Sequence, residues 1–539
     1  MSAPAWRDPW AYVLALGYAL VATLLLWPLA NVAYQATTGG GEVSIWSDPS
    51  LGVALRHSLV VSALGALGAT ALGLPLALLC ARIKIPASGL LTALATLCLL
   101  SPPFVGAYAW ILLLGQQGVL RLLLADLGLP APSIYGAFGI VIVFSTQYFP
   151  LVFLLTRGAL EAQDPALEEA ARSLGATGWR RLVRVTLPLV LPSLSGGMLL
   201  AFVMALANFG TPMVLGRNYR VLPTLAYDLF TSEVAQTQPD AAAGVCLLMI
   251  LIASLALGLQ KYVSGRRSVV SSSLRRTPPR ALPGWRGRLA AFAAWGIVLG
   301  ALTPLLTVVA FSFRNTNGPV FTPGVGLGSY RAVLHGVSRA IGNSLVYSLL
   351  AAIAIAFLGA LLGAAIERRR GLASKVLDGL LLLPYLVPGL VLGIGFVLGF
   401  QSAPRWFMGS GAVLVFVYLI RRLPYAVRAN TAILAQLDVQ VEEAAKSLGA
   451  SPIRAFFRAT LPLMTPGVIA GAVLGWVTAI GELSATIVLY EGGTVTMPVQ
   501  IYHQVMDGAL GPAGALSTLL LGATGAALLL VERVRAERV

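Results

Sequence analysis

Glu168–Pro192 reads EEAARSLGATGWRRLVRVTLPLVLP, and 274 residues later Glu442–Pro466 reads EEAAKSLGASPIRAFFRATLPLMTP. The two stretches align without a gap, and 15 of the 25 positions are identical. They are the polar part of an otherwise apolar chain. Lipid imposes apolar residues on any two membrane halves, but it does not impose the same acidic pair, the same Ser-Leu-Gly, two arginines and two prolines. Each half of the chain therefore presents the same polar surface to water.

Outside these stretches the composition sets the class. Of 539 residues, 57% are hydrophobic and only 11% charged, with a mean hydropathy of +0.83; soluble domains carry about 25% charged residues. The fold class expected is an all-α integral membrane protein. The net charge of +16 does not indicate nucleic acid, because the arginines sit in short stretches between apolar runs and lack aromatic interleaving. Cys80, Cys98 and Cys246 lie in apolar segments and read as buried thiols. Without a P-loop, a CxxC pair or HExxH, the chain is expected to have no catalytic residues, no metal site and no cofactor of its own.

Spans of about 20 apolar residues fall at roughly 11–34, 57–80, 88–114, 134–157, 187–208, 243–260, 289–313, 341–364, 374–400, 411–432, 463–489 and 513–531, about twelve transmembrane helices in all. With the N-terminus inside, 29 of the 37 Lys and Arg residues fall in cytoplasmic segments and adjoining helix ends, the bias that sets orientation. Both termini and both polar stretches are thus expected in the cytoplasm. The halves are 1–260 and 289–539, tandem repeats of six spans each. Residues 261–288, basic and rich in Ser, Pro and Gly, read as a cytoplasmic linker whose charge suits contact with anionic lipid. Repeats of the same orientation imply an axis along the membrane normal and a path at their interface.

Each polar stretch reads as a helix–Gly–helix elbow. Glu168, Glu169 and Ala170 favour a short helix with acidic residues near its N-terminus. Gly175 supplies a stop at positive φ, and Trp179, Leu182 and Val183 form the apolar side of a second short helix.

At these residues the chain resembles the permease subunits of ATP-binding cassette importers, whose EAA loop carries a Gly seven residues after its first Glu. Here the match is Glu168 to Gly175 and Glu442 to Gly449, within loops at 161–186 and 435–460. The resemblance covers essentially the whole chain, in the subgroup that fuses two six-helix permease repeats. It implies that Glu168, Glu169, Ala170, Gly175, Glu442, Glu443, Ala444 and Gly449 dock two cytoplasmic ATPase subunits. ATP and Mg²⁺ would sit on those subunits, and a periplasmic or lipid-anchored solute-binding protein would deliver the cargo. It also implies a multi-pass protein of the bacterial inner membrane. Ala207–Pro212 and Glu482–Thr486 look most like ferric iron importers, although Ser484 stands where proline is common. Permeases for thiamine or 2-aminoethylphosphonate carry similar stretches, and an ion-coupled secondary transporter is the alternative from another class.

Ionisable residues inside spans are costly and are functional candidates. Gln147, Asn208, Arg421, Arg422, Glu482, Ser484 and Thr486 form the candidate lining of a translocation path. A buried Glu–Arg pair that simply holds two helices together is the plainer reading of Glu482 with Arg421 or Arg422, and both roles can coexist. His57, His335 and His503 lack ligand spacing, and Tyr227 and Tyr502 are candidate contacts for an external binding protein.

Overall fold

The structure, a computed structural model, describes residues 8–38, 46, 48–232, 239–266, 279–369, 371–438 and 440–536. Among the described residues ten helices are long and apolar enough to cross a membrane. An eleventh span is Leu372–Leu386 with Gly389–Gly399, bent by 107° where they meet. Pro388 explains the break: it forces the preceding Val387 into extended backbone, with ψ of 118°. The helix Gly411–Leu434 matches the expected tenth span in position but carries Arg421, Arg422 and Arg428 and is less apolar than the others. The architecture is all-α, with a span count near the twelve expected. The expected span 88–114 is broken at Ser101-Pro102 into Ser88–Leu100 and Pro103–Leu114. Beyond the helices, the described residues form one hairpin, Arg314–Asn317 with Val320–Val325.

Proline also shapes the long helices. Three π turns, Ala22–Leu26, Leu182–Thr186 and Phe456–Thr460, each end two residues before a proline: Pro28, Pro188 and Pro462. A proline ring clashes with the carbonyl one turn back, and a widened turn relieves that clash. The helix therefore continues through the proline. As a result the fifth and eleventh spans begin earlier than the sequence suggests, at Gly178 and Pro452, and run to Leu206 and Ile480.

The chain divides into two compact units, each discontinuous in sequence. One unit comprises the described residues of 1–42, 229–247 and 323–539; the other comprises those of 43–228 and 248–322. The repeat boundaries at 1–260 and 289–539 are read on the sequence, and the compact units are drawn differently. In the first unit the Pro9–Thr38 helix packs on elements of the second repeat. Tyr18 donates from its hydroxyl to Ala373 O (2.6 Å), Trp27 Nε1 donates to Gly399 O (2.8 Å), and Arg369 pairs with Asp8 at 3.2 Å. In the second unit the Trp285–Phe311 helix packs on the first repeat, and Trp295 Nε1 donates to Pro86 O at 3.2 Å. Of the linker, residues 267–278 lie outside the described residues, while Arg280 exchanges backbone hydrogen bonds with Arg82 and Lys84.

Both units are built around the same three-helix crossing. In one, a Cβ on Gly471 would lie 2.6 Å from Ala426 Cα, and Gly359 abuts Ala426 from the other side. In the other, a Cβ on Gly73 would lie 2.9 Å from Val152 Cβ, and one on Gly197 3.0 Å from Val152 Cα. Lipid offers no hydrophobic drive between helices, so close backbone approach at small residues holds them together.

Candidate functional site

The first polar stretch forms the helix Pro165–Ser173, begun by Asp164, whose carboxylate accepts from Ala166 N–H at 2.9 Å. The second forms Gln440–Ser447, begun in the same way by Asp438, which accepts from Gln440 N–H at 3.0 Å. These capping aspartates lie 274 residues apart and escaped the sequence reading, although Asp before a helix is a recognisable start signal. Each helix ends in a Schellman turn. Gly175 N–H donates to Arg172 O and Ala176 N–H to Ala171 O, both at 2.9 Å; Gly449 donates to Lys446 O (2.9 Å) and Ala450 to Ala445 O (3.1 Å). Gly175 has φ +78° and Gly449 φ +88°, and an added Cβ would meet nothing within 4 Å at either. Conformation, and not space, selects glycine there.

The second arm of each elbow is the start of a span and not a separate short helix. Gly178–Leu206 and Pro452–Ile480 are each 29 residues, about 43 Å at 1.5 Å per residue. One end of each joins the elbow, and the other ends beside Asn208 or Glu482.

The elbow side chains divide by exposure. Glu169, Ala170, Glu443 and Ala444 are exposed; the side chain of Glu168 lies outside the described residues. Glu442 departs from the expectation of a docking residue because it is buried within its own chain. It pairs with Arg368 Nε (2.7 Å) and Lys446 Nζ (2.8 Å), and accepts from Thr460 Oγ1 at 3.4 Å. A carboxylate so enclosed braces the elbow against the end of the Ser338–Arg368 span. In the first copy Arg82 Nη2 donates to Thr186 Oγ1 at 2.8 Å. Sequence reasoning did not single out Leu174 and Leu448, which are 88% and 89% exposed at matching positions. Around them Leu167 and Trp179, or Val441 and Ile453, are also exposed, so each elbow offers a small apolar face with basic residues beside it. Of the apolar side expected for the second arm, Trp179 is largely exposed, while Val183 and Leu182 are partly covered.

At the far end of the spans the candidate path residues fall into two clusters. Asn208 Nδ2 donates to Tyr148 OH at 2.8 Å, and its Oδ1 accepts from Thr211 N–H at 3.0 Å, capping the helix Gly210–Leu215. Gln147, one residue before Tyr148, donates to Ser101 O at 2.7 Å, which satisfies a carbonyl freed where Pro102 breaks the helix. In the second copy Glu482 Oε2 pairs with both Arg421 and Arg422, and Oε1 accepts from Ala485 N–H at 3.3 Å. Thr486 Oγ1 donates to Glu482 O at 2.9 Å and is hydrogen-bonded to Tyr418 OH at 2.8 Å. Ser484 lies beside Arg421: a Cβ on Gly389 would lie 2.8 Å from Arg421 Cζ and 2.9 Å from Ser484 Cβ. Asn208 and Glu482, Tyr148 and Arg422, and Gln147 and Arg421 correspond under the 274-residue offset.

His57 and His503 have other duties. His57 stacks on Tyr219 at 3.8 Å, with Nδ1 2.9 Å from Arg220 O, and His503 Nε2 lies 3.0 Å from Tyr490 OH. Tyr502 is buried and Tyr227 half-buried against Phe209, so neither is a freely presented contact.

Comparison with known proteins agrees with this geometry. The family described as binding-protein-dependent transport system inner membrane component matches twice, at residues 73–269 and 355–535. The ferric transport system permease protein FbpB of Actinobacillus pleuropneumoniae is 29% identical over 486 residues, 87% of this chain and 69% of the relative. The putative ferric transport system permease protein FbpB 1 of Haemophilus influenzae is 30% identical over 457 residues, 82% and 70% of the two chains. The molybdenum transport system permease protein ModB of Escherichia coli K12 is 31% identical over 233 residues, 41% of this chain and 96% of its own. The chain belongs to the binding-protein-dependent inner membrane component family and is an importer permease of the ATP-binding cassette class.

Proposed function

We propose that this permease carries ferric iron inward, taking it from an external solute-binding protein and driven by two ATPase subunits seated on its elbows. The observation that carries the reading is the pair of matched, exposed leucines, Leu174 and Leu448, each on a rigid turn at the end of a helix that reaches Asn208 or Glu482. An apolar side chain left this bare on a polar turn gains about 1.5–3 kcal/mol when covered. A cytoplasmic groove on each ATPase supplies that cover, which places both elbows and both termini in the cytoplasm. ATP and Mg²⁺ are bound on those subunits. When they close, each elbow is displaced as a body, because its Schellman turn is fixed and Glu442 ties the second elbow to Arg368. The continuous helix delivers the displacement to the polar cluster at its far end. The similarity to ferric permeases over most of the chain supports iron over thiamine or 2-aminoethylphosphonate.

Two measurements test this. Replacing Gly175 and Gly449 together by leucine strains both turns and should abolish co-purification with the ATPase and uptake of radiolabelled iron. Unchanged co-purification would remove the docking assignment. Uptake by the chain alone under an ion gradient would instead establish a secondary transporter.

A further inference from the structure

We infer that Arg421, Arg422 and Glu482 form an oxyanion-binding station inside the membrane, so that iron crosses as a complex with an oxyanion and not as a bare cation. The inference rests on the ferric reading only for the identity of the cargo; the station itself stands on the charge count. Two guanidinium groups share one carboxylate, which leaves a surplus of one positive charge. The side chains are 13%, 16% and 5% exposed. Arg421 Nε and Arg422 Nε have no hydrogen-bond partner among the described residues. An unneutralised charge at such depth costs several kcal/mol.

The fold does not require that cost. In the first copy Asn208, held by Tyr148, caps the equivalent helix without any charge, and Gln147 stands where Arg421 does. Even with Glu482 in place, one arginine would neutralise it. The second arginine has no carboxylate of its own among the described residues, and a bound ligand takes that place in the proposed station. A guanidinium fork fits the planar edge of a carboxylate or phosphate oxygen pair, which sets the ligand class.

The surroundings point the same way. Along the Gly411–Leu434 helix, Arg421, Tyr425 and Arg428 recur at helical spacing, with Tyr425 packed on Tyr385 (5.1 Å) and Arg428 paired with Asp378 (3.0 Å). The first-copy equivalents are Gln147, Leu151 and Leu154. The cationic ladder belongs to one copy alone, and Gly389 leaves room for the Arg421 head group beside Ser484.

The test is direct binding of radiolabelled inorganic phosphate to the full chain in lipid nanodiscs. The natural chain should bind it, and Arg421→Gln, which keeps the Arg422–Glu482 pair and hence the fold, should weaken binding by about tenfold or more. Arg421→Lys keeps the charge and should lose less, and it reads the same point if the glutamine variant does not assemble. Absence of binding to the natural chain, or equal binding by Arg421→Gln, overturns the station. With ATPase and binding protein added, uptake is followed with iron and phosphate both labelled. Entry of both labels supports crossing as a complex, whereas entry of iron without phosphate overturns it. Phosphate binding with no iron uptake under any condition would overturn the ferric reading and leave the station intact.

Discussion

Asn208 and Glu482 stand at the same point of the repeat, at the end of the same long helix, and each caps the short helix that follows. Asn208 is held by a tyrosine hydroxyl, Glu482 by two arginines. Geometry is kept while charge is changed. The cap is therefore architectural and common to both copies, whereas the ionic content is particular to the second copy.

That contrast can be broken first at the ionic cluster. Glu482→Ala leaves two buried arginines unpaired and should cost about 3–5 kcal/mol. Asn208→Ala loses neutral hydrogen bonds and should cost about 1–3 kcal/mol. Thermal unfolding followed by size-exclusion in detergent orders the two, and equal losses would erase the distinction between the copies. Next in size is the shared packing. Gly471→Leu and Gly197→Leu force apart helices that meet at Ala426 and Val152, at about 1–3 kcal/mol each; similar drops in the thermal midpoint would show that the crossing is equivalent in both units.

The elbows sharpen the comparison on the functional side. Leu174→Asp and Leu448→Asp should each weaken ATPase association by about 1.5–3 kcal/mol without moving the midpoint of the chain alone. A pull-down titration measures it, and loss from one copy only would mean that the two elbows are not equivalent handles. The smallest effect is expected at Asp378→Asn. Its partner Arg428 is 45% exposed, and such pairs contribute about 0–1 kcal/mol; a larger loss would extend the ionic cluster of the second copy toward the helix end.

Much of this was legible in the chain. The elbows were found because a polar repeat inside apolar sequence has no lipid-imposed cause, and Gly175 and Gly449 do take positive φ. The residues of the two clusters were named from their polarity inside spans. Their pairing was not: Arg421 and Glu482 are 61 residues apart in sequence, on different helices, and periodicity says nothing about which faces meet. Nor did the sequence show that Glu442 turns inward while Glu443 stays exposed. Both are acidic residues on a short helix, and only the position of Arg368, at the end of another span, decides between them. Leu174 and Leu448 were passed over because a leucine is expected to be buried, and exposure is a property of the folded chain.

Composition and repetition by themselves determined the membrane class, the approximate number of spans and the duplicated polar elbows, because hydropathy and identity between segments are local properties of the chain. Tertiary structure alone decided that the Pro9–Thr38 helix packs with the second repeat and Trp285–Phe311 with the first, that the spans run unbroken through Pro188 and Pro462 by way of π turns, and that two arginines converge on one carboxylate. Those outcomes depend on which helix faces come within a few ångströms of each other, and in lipid that is set by close contact at glycine and alanine and by hydrogen bonds between helices.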